Sequence, residues 1–475
     1  MEETKVEERV EEKENKMGYV PVNKLLVSMA TPMIISMLVQ ALYNVVDSVF
    51  VSRIGKEIVD ENGLTAGSAA INALGFSFPI QMLLIAFGTG TCVGVNALLS
   101  KALGEKDKET IQKSANNGVF LSLMNFVLFF IIGAFFSEFI IKIQGATGVT
   151  LEYGVKYLSI VTMGSIGIYM QLIFERLLQS TGRTFASMCT QLTGAVINII
   201  LDPILIFGYF GFPKMGVAGA AVATIVGQMV AAILAIIINY CINKDVKVSF
   251  KGFRPDFATI KKIYVVGIPS IIMQSIGSVM TSVMNKILDG LNPSSVTVFT
   301  VYFKLQSFFF MPVFGLNNGM IPILAYNFGA KKKSRMVKVI KLSMVYAFIF
   351  LCIGFILFET IPDVLLRIFD TGDPSLYVLG VPALRVIGVH YLIAWFCIIG
   401  GTVFQSLGNG VYSLVVSVAR QLVVLIPVAY ILSKIGGLKL IWWSFPIAEI
   451  MSLCVTTFFL VKIYKDIISK VPDNV

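Results

Sequence analysis

Three polar residues that could bind a cation or a proton, Asp47, Asn198 and Asp202, lie in strongly apolar stretches of the sequence. A carboxylate in hydrocarbon costs roughly 2.5–3.5 kcal/mol even on a mild insertion scale, so each acid belongs on a face turned toward protein or water. Asn198 and Asp202 are four residues apart and share one face of a helix. Their oxygens could hold Na⁺ or exchange protons. The alternative is that Asp202 is a helix-end residue in an Asp-Pro turn or a packing acid bonded to Asn198.

Polar residues recur at helical spacing in two of the apolar segments. Within residues 31–52 they follow each other at three and four positions and end at Asp47, and a similar uncharged stripe lies within residues 258–289. Such spacing places them along one side of each helix. We therefore predict a polar wall of a transport cavity, with Asp47 at its ion-responsive end. The predicted cavity residues are Gln40, Tyr43, Asn44, Gln191, Gln274, Ser278, Thr281 and Asn285.

The composition indicates a membrane protein. Of 475 residues, 56% are hydrophobic and 14% charged, and the mean hydropathy is +0.81; soluble proteins carry about 25% charged residues. The net charge of +10 is spread over short patches between apolar runs, which fits a lipid bilayer as partner and not a nucleic acid. The chain has one histidine and six dispersed cysteines. It therefore offers few residues for a His-based metal site or for Ser–His catalysis, and we do not expect an enzyme.

Twelve apolar segments between residues 22 and 466 are each long enough to cross about 30 Å of hydrocarbon. Because the hydrocarbon offers the backbone no partner, each must be a helix. The sequence thus predicts an all-α polytopic membrane protein with twelve transmembrane helices. Lysine and arginine concentrate in alternate loops, so both termini are expected on the cytoplasmic side of a multi-pass protein in the cytoplasmic (inner) membrane of a prokaryote.

The two halves of the chain resemble each other. The stretch from Gly94 to Gly104 matches that from Gly319 to Gly329 at an offset of 225 residues, and Gln-Ser-x-Gly occurs at 179–182 and 405–408. Both matched loops fall on the predicted cytoplasmic side, so the repeats run in parallel. The predicted boundaries are a disordered acidic tail at 1–21, an N-lobe at 22–243, a cytoplasmic linker at 244–257, a C-lobe at 258–466 and a cytoplasmic tail at 467–475.

Residues 24–466 resemble the multidrug and toxic compound extrusion (MATE) family, in its prokaryotic DinF/MepA-like branch. The resemblance rests on Pro32 fifteen residues before Asp47, on Asn198-x-x-x-Asp202-Pro203 and on Gly216-x-x-Gly219-Ala-Ala-x-Ala-Thr224. It implies two six-helix lobes forming a V around a central cavity. It also implies export of amphipathic, often cationic compounds by antiport with Na⁺ or H⁺, with no other cofactor. The family's cation site maps onto Asp47, Asn198, Asp202 and Thr224.

Other branches of the family place acids in the seventh and tenth helices, and this sequence lacks them there. We therefore expect ion coupling to be confined to the N-lobe. Pro32 interrupts the backbone hydrogen bonds of the helix that carries Asp47, so ion binding could also bend that helix. We expect a functional monomer.

Two alternatives to this function stay open. A lipid-linked oligosaccharide flippase of the wider superfamily would need a cationic cavity, whereas the predicted stripes are neutral or acidic. An intramembrane enzyme would need a catalytic dyad or a metal site at membrane depth. The sequence has few residues that could form either.

Several further polar residues lie in the apolar segments. Glu175 and Arg176 are expected to be interfacial anchors, with a gate or a lobe-to-lobe ion pair as the alternative. Arg420 and Gln421 are expected to reach the membrane interface. His390 is expected to be a helix contact. For Glu449 the sequence favours neither a cavity position nor a bond to a neighbouring helix.

Overall fold

The protein is a bundle of helices. This computed structural model describes residues 15–52, 54–55, 66–368 and 375–473, except for the side chains of residues 44, 45, 48, 49, 52, 68, 293 and 375. Within these ranges the extended structure is limited to one β-bridge between Lys332 and Asp473. Ten helices in the described ranges are long and apolar enough to cross a membrane, and two bent helix pairs raise the number of spans to twelve.

The first lobe contains six of these spans, preceded by the short helix α1 (Lys16–Tyr19). The spans are α2 (Val22–Ser52), α3 (Ala66–Glu105), α4 (Lys108–Ile143), the bent pair α5 (Gly148–Met163) and α6 (Ile166–Ser180), α7 (Thr184–Phe207) and α8 (Val217–Ile242). A 3₁₀ turn at Tyr209–Gly211 lies between α7 and α8.

The second lobe repeats this order. Its helices are α9 (Phe257–Asp289), α10 (Pro293–Gly329), α11 (Lys333–Thr360), α12 (Pro362–Arg367), the bent pair α13 (Ser375–Gly388) and α14 (Tyr391–Ser406), α15 (Gly410–Val418), α16 (Ile426–Gly436), α17 (Leu438–Ile441) and α18 (Ser444–Asp466). A π-helical segment, Ala419–Leu425, joins α15 to α16, and a 3₁₀ turn, Ile468–Lys470, follows α18.

The fourth span of each lobe is bent where the sequence predicts one continuous segment. The bends are 42° between α5 and α6 and 52° between α13 and α14, and they occupy matching positions, Gly164-Ser165 and Val389-His390. At the second bend, His390 Nδ1 lies 2.6 Å from the Ile387 carbonyl oxygen, so this nitrogen carries the hydrogen and donates. His390 is therefore a buried helix contact, as expected.

Matching turns show that the repeats run in the same direction. Lys106 and Lys331 both have positive φ angles, +57° and +56°, and so do Gly182 and Gly408, at +83° and +80°. All four residues lie at the end of the bundle that also holds residues 15–21 and 467–473, which we call the terminus face. The opposite end is the far face.

The lobes meet through glycines on α3 and α10. Gly90 and Gly94 of α3 face the backbone of α9, and Gly315 and Gly319 of α10 face the backbone of α2. A methyl group on Gly94 would collide with the Ile263 carbonyl. Because each pair has glycines four residues apart, the helices approach closely. The offset of 225 residues between the repeats converts one contact into the other. The interface therefore has the form of one with two-fold symmetry.

The largest apolar core crosses the boundary between the lobes. Leu25, Leu26 and Met29 at the start of α2 are fully buried and pack in one cluster with Tyr302 and Phe358 of the second lobe. The first half of α2 therefore belongs to the packing of both lobes.

The segment before α2 is ordered and connects the two lobes. Met17 is fully buried, and its carbonyl accepts hydrogen bonds from Asn327 Nδ2 at 3.1 Å and Arg335 Nη2 at 2.9 Å. Asn15 Nδ2 donates to the Thr181 carbonyl in the first lobe at 3.3 Å. The prediction of a disordered tail is thus wrong for residues 15–21, because their carbonyls are bonded to the second lobe. Residues 1–14 lie outside the described ranges.

Two carboxylates cap matching helices. Asp107 accepts from Thr110 N at 3.0 Å and from Thr110 Oγ1 at 2.6 Å at the start of α4, and these bonds lower the pKa of Asp107. The second lobe has Lys332 at the matching position, and there Asp473 accepts from the backbone and hydroxyl of Ser334 at the start of α11. The chain end thus supplies the cap that the repeat lacks.

The predicted domain boundaries themselves stay predictions.

We expect Gly94→Ala to lower the melting temperature of the purified protein, because the added methyl group pushes α3 away from α9. Overpacking of this kind costs about 1–3 kcal/mol. Gly75→Ala is the matched control, since a methyl group at Gly75 on the same helix meets nothing within 4 Å. Thermal unfolding of both variants beside the wild type is the measurement. Equal melting temperatures for Gly94→Ala and Gly75→Ala would contradict the glycine-mediated contact.

Candidate cation and substrate site

A partly enclosed cavity lies within the first lobe. Its walls come from α2, α3, α6, α7 and α8, and Asn318 of α10 closes one side. Gln40, Tyr43 and Gln191 line it, as the polar stripes predict. The cavity thus has amide and phenol groups set among apolar side chains, which is a common composition for a small-molecule site.

The predicted cavity residues of α9 are placed differently. Gln274 Nε2 donates to the cavity-lining Thr89 at 2.8 Å, but Gln274 itself is not among the described residues that line this cavity. Ser278, Thr281 and Asn285 lie farther along α9 and are not among the described residues that line this cavity. Their position in a substrate cavity stays a prediction. The Asn44 side chain lies outside the described part of the protein.

Beyond one end of this cavity the structure gathers several buried oxygens. Asn198 and Asp202 are 3% and 0% exposed, and Asn198 Nδ2 donates to Thr224 Oγ1 at 3.3 Å. Both Asp202 carboxylate oxygens, Asn198 Oδ1 and Asp47 Oδ1 are buried and receive no hydrogen bond from the described residues. Buried oxygens without a donor are rare and costly, and a cation or a proton would satisfy them.

Asp47 and Asp202 belong to one electrostatic cluster. They are close enough to act on each other, and both act on the phenols of Tyr43 and Tyr157. Tyr157, which the sequence did not single out, is fixed by Gln81 Nε2, which donates to its hydroxyl at 3.0 Å. The structure therefore brings together the predicted set Asp47, Asn198, Asp202 and Thr224.

Glycines and a proline explain why α7 forms this site. Gly194 of α7 and Gly227 of α8 lie against each other's backbone, which lets the two helices approach and sets Thr224 beside Asn198. Pro203 has no N–H, so the carbonyl four residues earlier, at Ile199, loses its usual helical donor next to the acids. Because α7 continues to Phe207, the alternative of Asp202 as a helix-end residue is wrong.

Sequence reasoning missed two charged residues at the cavity wall. Glu175 and Arg176 line it and are only 1% and 7% exposed, so the expectation of interfacial anchors is wrong. Arg176 Nη1 donates to Asn318 Oδ1 of the second lobe at 3.0 Å, so the contact between the lobes is a hydrogen bond to a neutral amide and not the ion pair considered as the alternative. The signal was present in the sequence, because Gln171, Glu175 and Gln179 recur every four residues along one helix face.

Arg420 and Glu449 of the second lobe form an ion pair. Arg420 Nη1 lies 3.2 Å from Glu449 Oε2, and Glu449 is buried. The expectation that Arg420 extends to the membrane interface is wrong, because this partner holds its guanidinium. Gln421 is buried too and donates to Ser417 at 2.9 Å. Glu449 bonds to a neighbouring helix, one of the two roles considered for it.

Comparisons with known proteins agree with this fold and site. A model of the MatE family matches residues 32–204 and 269–431, one match in each lobe. Multidrug export protein MepA of Staphylococcus haemolyticus (strain JCSC1435) is 28% identical over 426 residues, which cover 90% of each chain.

Solved structures give the same result. An outward-facing multidrug resistance MATE family transporter superposes with a TM-score of 0.87 at 23% identity, covering 96% of this chain and 99% of that one. The MATE multidrug transporter DinF-BH, solved as a complex, reaches a TM-score of 0.82 at 31% identity, covering 94% of this chain and 96% of that one.

The chain therefore belongs to the MatE family of membrane transporters. The resemblance expected from the motifs is confirmed, as is the fold of twelve helices in two parallel six-helix repeats that form two lobes. It is a multi-pass membrane protein, and its relatives are transporters rather than enzymes.

We expect Asp202→Asn to raise the melting temperature in Na⁺-free, mildly alkaline buffer. The substitution keeps the shape but removes a buried negative charge that has no hydrogen-bond donor, a cost on the order of 1–3 kcal/mol or more. Asp289→Asn, at an exposed acid on the far face, is the control and should leave the melting temperature unchanged. A lower melting temperature for Asp202→Asn than for the wild type would show that internal donors already satisfy this carboxylate.

Proposed function

We propose that the protein exports amphipathic, often cationic small molecules by antiport with Na⁺ or H⁺. The observation that carries this proposal is the cluster of buried oxygens of Asp47, Asn198 and Asp202 that receive no hydrogen bond from the described residues, at one end of a cavity lined by polar and apolar side chains. A coupling ion and a substrate would thus occupy neighbouring parts of the same lobe. In this proposal Asp47, Asn198, Asp202 and the Thr224 hydroxyl hold Na⁺, or the two carboxylates carry a proton.

Transport would proceed by alternating access between the two lobes. The glycine contacts hold the lobes together toward the terminus face, so a switch to the other state must separate these contacts. An ion can drive that switch only by binding the two states unequally. The interrupted backbone at Pro32 within α2 would let the helix that carries Asp47 bend as the ion binds.

The terminus face would be cytoplasmic. The connections between α3 and α4, between α8 and α9 and between α10 and α11 carry most of the loop lysines and arginines, and all of them lie on this face, as in the positive-inside pattern. We propose a bacterial cell membrane as the location and a monomer as the functional unit. Substrate would then leave through the far face.

The relatives support the proposed substrates. One is named a multidrug export protein, and another is described as a multidrug transporter. A flippase for anionic lipid-linked sugars fits less well, because Arg176 is the one basic residue among the described residues that line the cavity. Binding of a cationic dye, compared with that of an anionic lipid headgroup, separates these two functions.

We expect Asp47→Asn to abolish drug protection in a drug-sensitive bacterial host, because the variant can no longer change charge as the ion binds. The measurement is the minimal inhibitory concentration of ethidium together with ion-dependent ethidium efflux. Both should fall to the level of cells that carry an empty vector, while Asp289→Asn should behave as the wild type. Protection and ion-dependent efflux at the wild-type level in Asp47→Asn would refute the proposed coupling.

A further inference from the structure

The cavity wall contains one acid and one base among the described residues that line it, Glu175 and Arg176, side by side on α6. Both are nearly completely buried. Ionisable groups at membrane depth are expensive and are usually retained for function. Neither belongs to the cluster of Asp47, Asn198, Asp202 and Thr224.

Two amides donate to the Glu175 carboxylate, and the Thr190 hydroxyl lies beside it and shares its one hydrogen with the Ser187 carbonyl at 2.7 Å. Gln171 Nε2 and Thr190 Oγ1 approach Oε1 at 2.9 and 3.0 Å, and Gln191 Nε2 approaches Oε2 at 2.6 Å. Gln171 and Gln191 line the cavity themselves. These bonds come from α6 and α7, so the carboxylate is oriented before any ligand arrives.

No cation neutralises Glu175 within the described part of the chain. Arg176 is its neighbour in sequence, but its Nη1 donates to Gln179 Oε1 at 2.9 Å and to Asn318 Oδ1 at 3.0 Å. The arginine is thereby fixed toward the second lobe. When it is ionised, the carboxylate places a negative charge at the wall that a ligand could pair with.

Part of the remaining wall is suited to an apolar body, although amides and hydroxyls line it as well. The aliphatic and thioether side chains come from α2, α3, α6 and α7, namely Met37, Val39, Ile85, Ile168, Leu172 and Leu192. A ligand that pairs with Glu175 and covers these side chains would carry a single positive charge at one side of an apolar ring system or chain. A second positive charge would meet Arg176.

The two acidic regions are separated along α7. Gln191, which bonds to Glu175, precedes Asp202 by eleven residues, which corresponds to about 16 Å along a helix. A substrate bound at Glu175 and an ion bound at Asp202 would therefore use different carboxylates. Their coupling would pass through α7 and not through competition for one charge.

We propose that Glu175 is the substrate-selecting carboxylate of the cavity and that it binds the charged group of an amphipathic organic monocation. This inference rests on the proposed export function and names the residue that gives it charge selectivity. The Glu175→Gln substitution removes the charge but keeps the size, and the amides of Gln171 and Gln191 can turn over to bond with the new side chain.

The test compares two dyes of one ring system on purified full-length protein. Ethidium is a monocation and phenanthridine its uncharged parent ring. We expect Glu175→Gln to weaken ethidium binding at least tenfold in a fluorescence titration and to change phenanthridine binding less than twofold. Glu449→Gln is the matched control, because Glu449 is a buried acid of the second lobe that is not among the lining residues described for this cavity. It should leave both affinities unchanged.

The possible outcomes are distinct. Unchanged ethidium binding in Glu175→Gln, or an equal loss for both dyes, overturns the proposal, since the second result would show a merely structural role. If Glu175→Gln does not fold, the second variant is Glu175→Asp, which keeps the charge. It must retain the wild-type preference for ethidium over phenanthridine. Loss of that preference overturns the proposal too. A wild-type protein that binds neither dye would instead contradict the proposed substrate class, and with it the role of Glu175.

Discussion

Backbone contact between the lobes along Gly90, Gly94, Gly315 and Gly319 determines how the rest of the molecule is arranged. Because no side chain separates the helices there, α3 packs directly on α9 and α10 directly on α2. The start of α2 is thereby buried in the core of the second lobe, and residues 15–21 bridge the same boundary. These contacts all lie between the middle of the bundle and the terminus face. The cavity and the acids lie in the parts of the first lobe that this contact leaves free.

Charge compensation distinguishes the two lobes. In the second lobe Glu449 has Arg420 as its partner, so the pair needs no external ion. In the first lobe the Asp202 carboxylate has no donor among the described residues, and Glu175 has amide and hydroxyl donors but no cation. The repeat thus carries a neutralised pair on one side and uncompensated acids on the other. We therefore propose that an external cation acts on the first lobe, and the asymmetric coupling expected from the sequence stays a prediction.

The sequence predicts features that depend on local spacing. Apolar runs gave the helices, the offset of 225 residues gave the two lobes, and the spacing of Asn198 and Asp202 placed them on one face. Spacing also shows that Glu175 shares a polar helix face with Gln171 and Gln179. The burial of that face and of Arg176 was not predictable, because it depends on how α6 packs against α7 and α10. The same reason applies to Arg420, whose partner Glu449 lies on another helix. The order of residues 15–21 depends on Asn327 and Arg335, more than 300 positions away.

The most direct test of ion-coupled export is transport by the purified wild-type protein in liposomes loaded with ethidium. A Na⁺ gradient and a pH gradient would be imposed in separate experiments, with protein-free liposomes measured in parallel. The account predicts that at least one of the two gradients drives ethidium across the membrane against its own concentration difference, and only in liposomes that contain the protein. Ethidium movement that is the same with and without each gradient would contradict it.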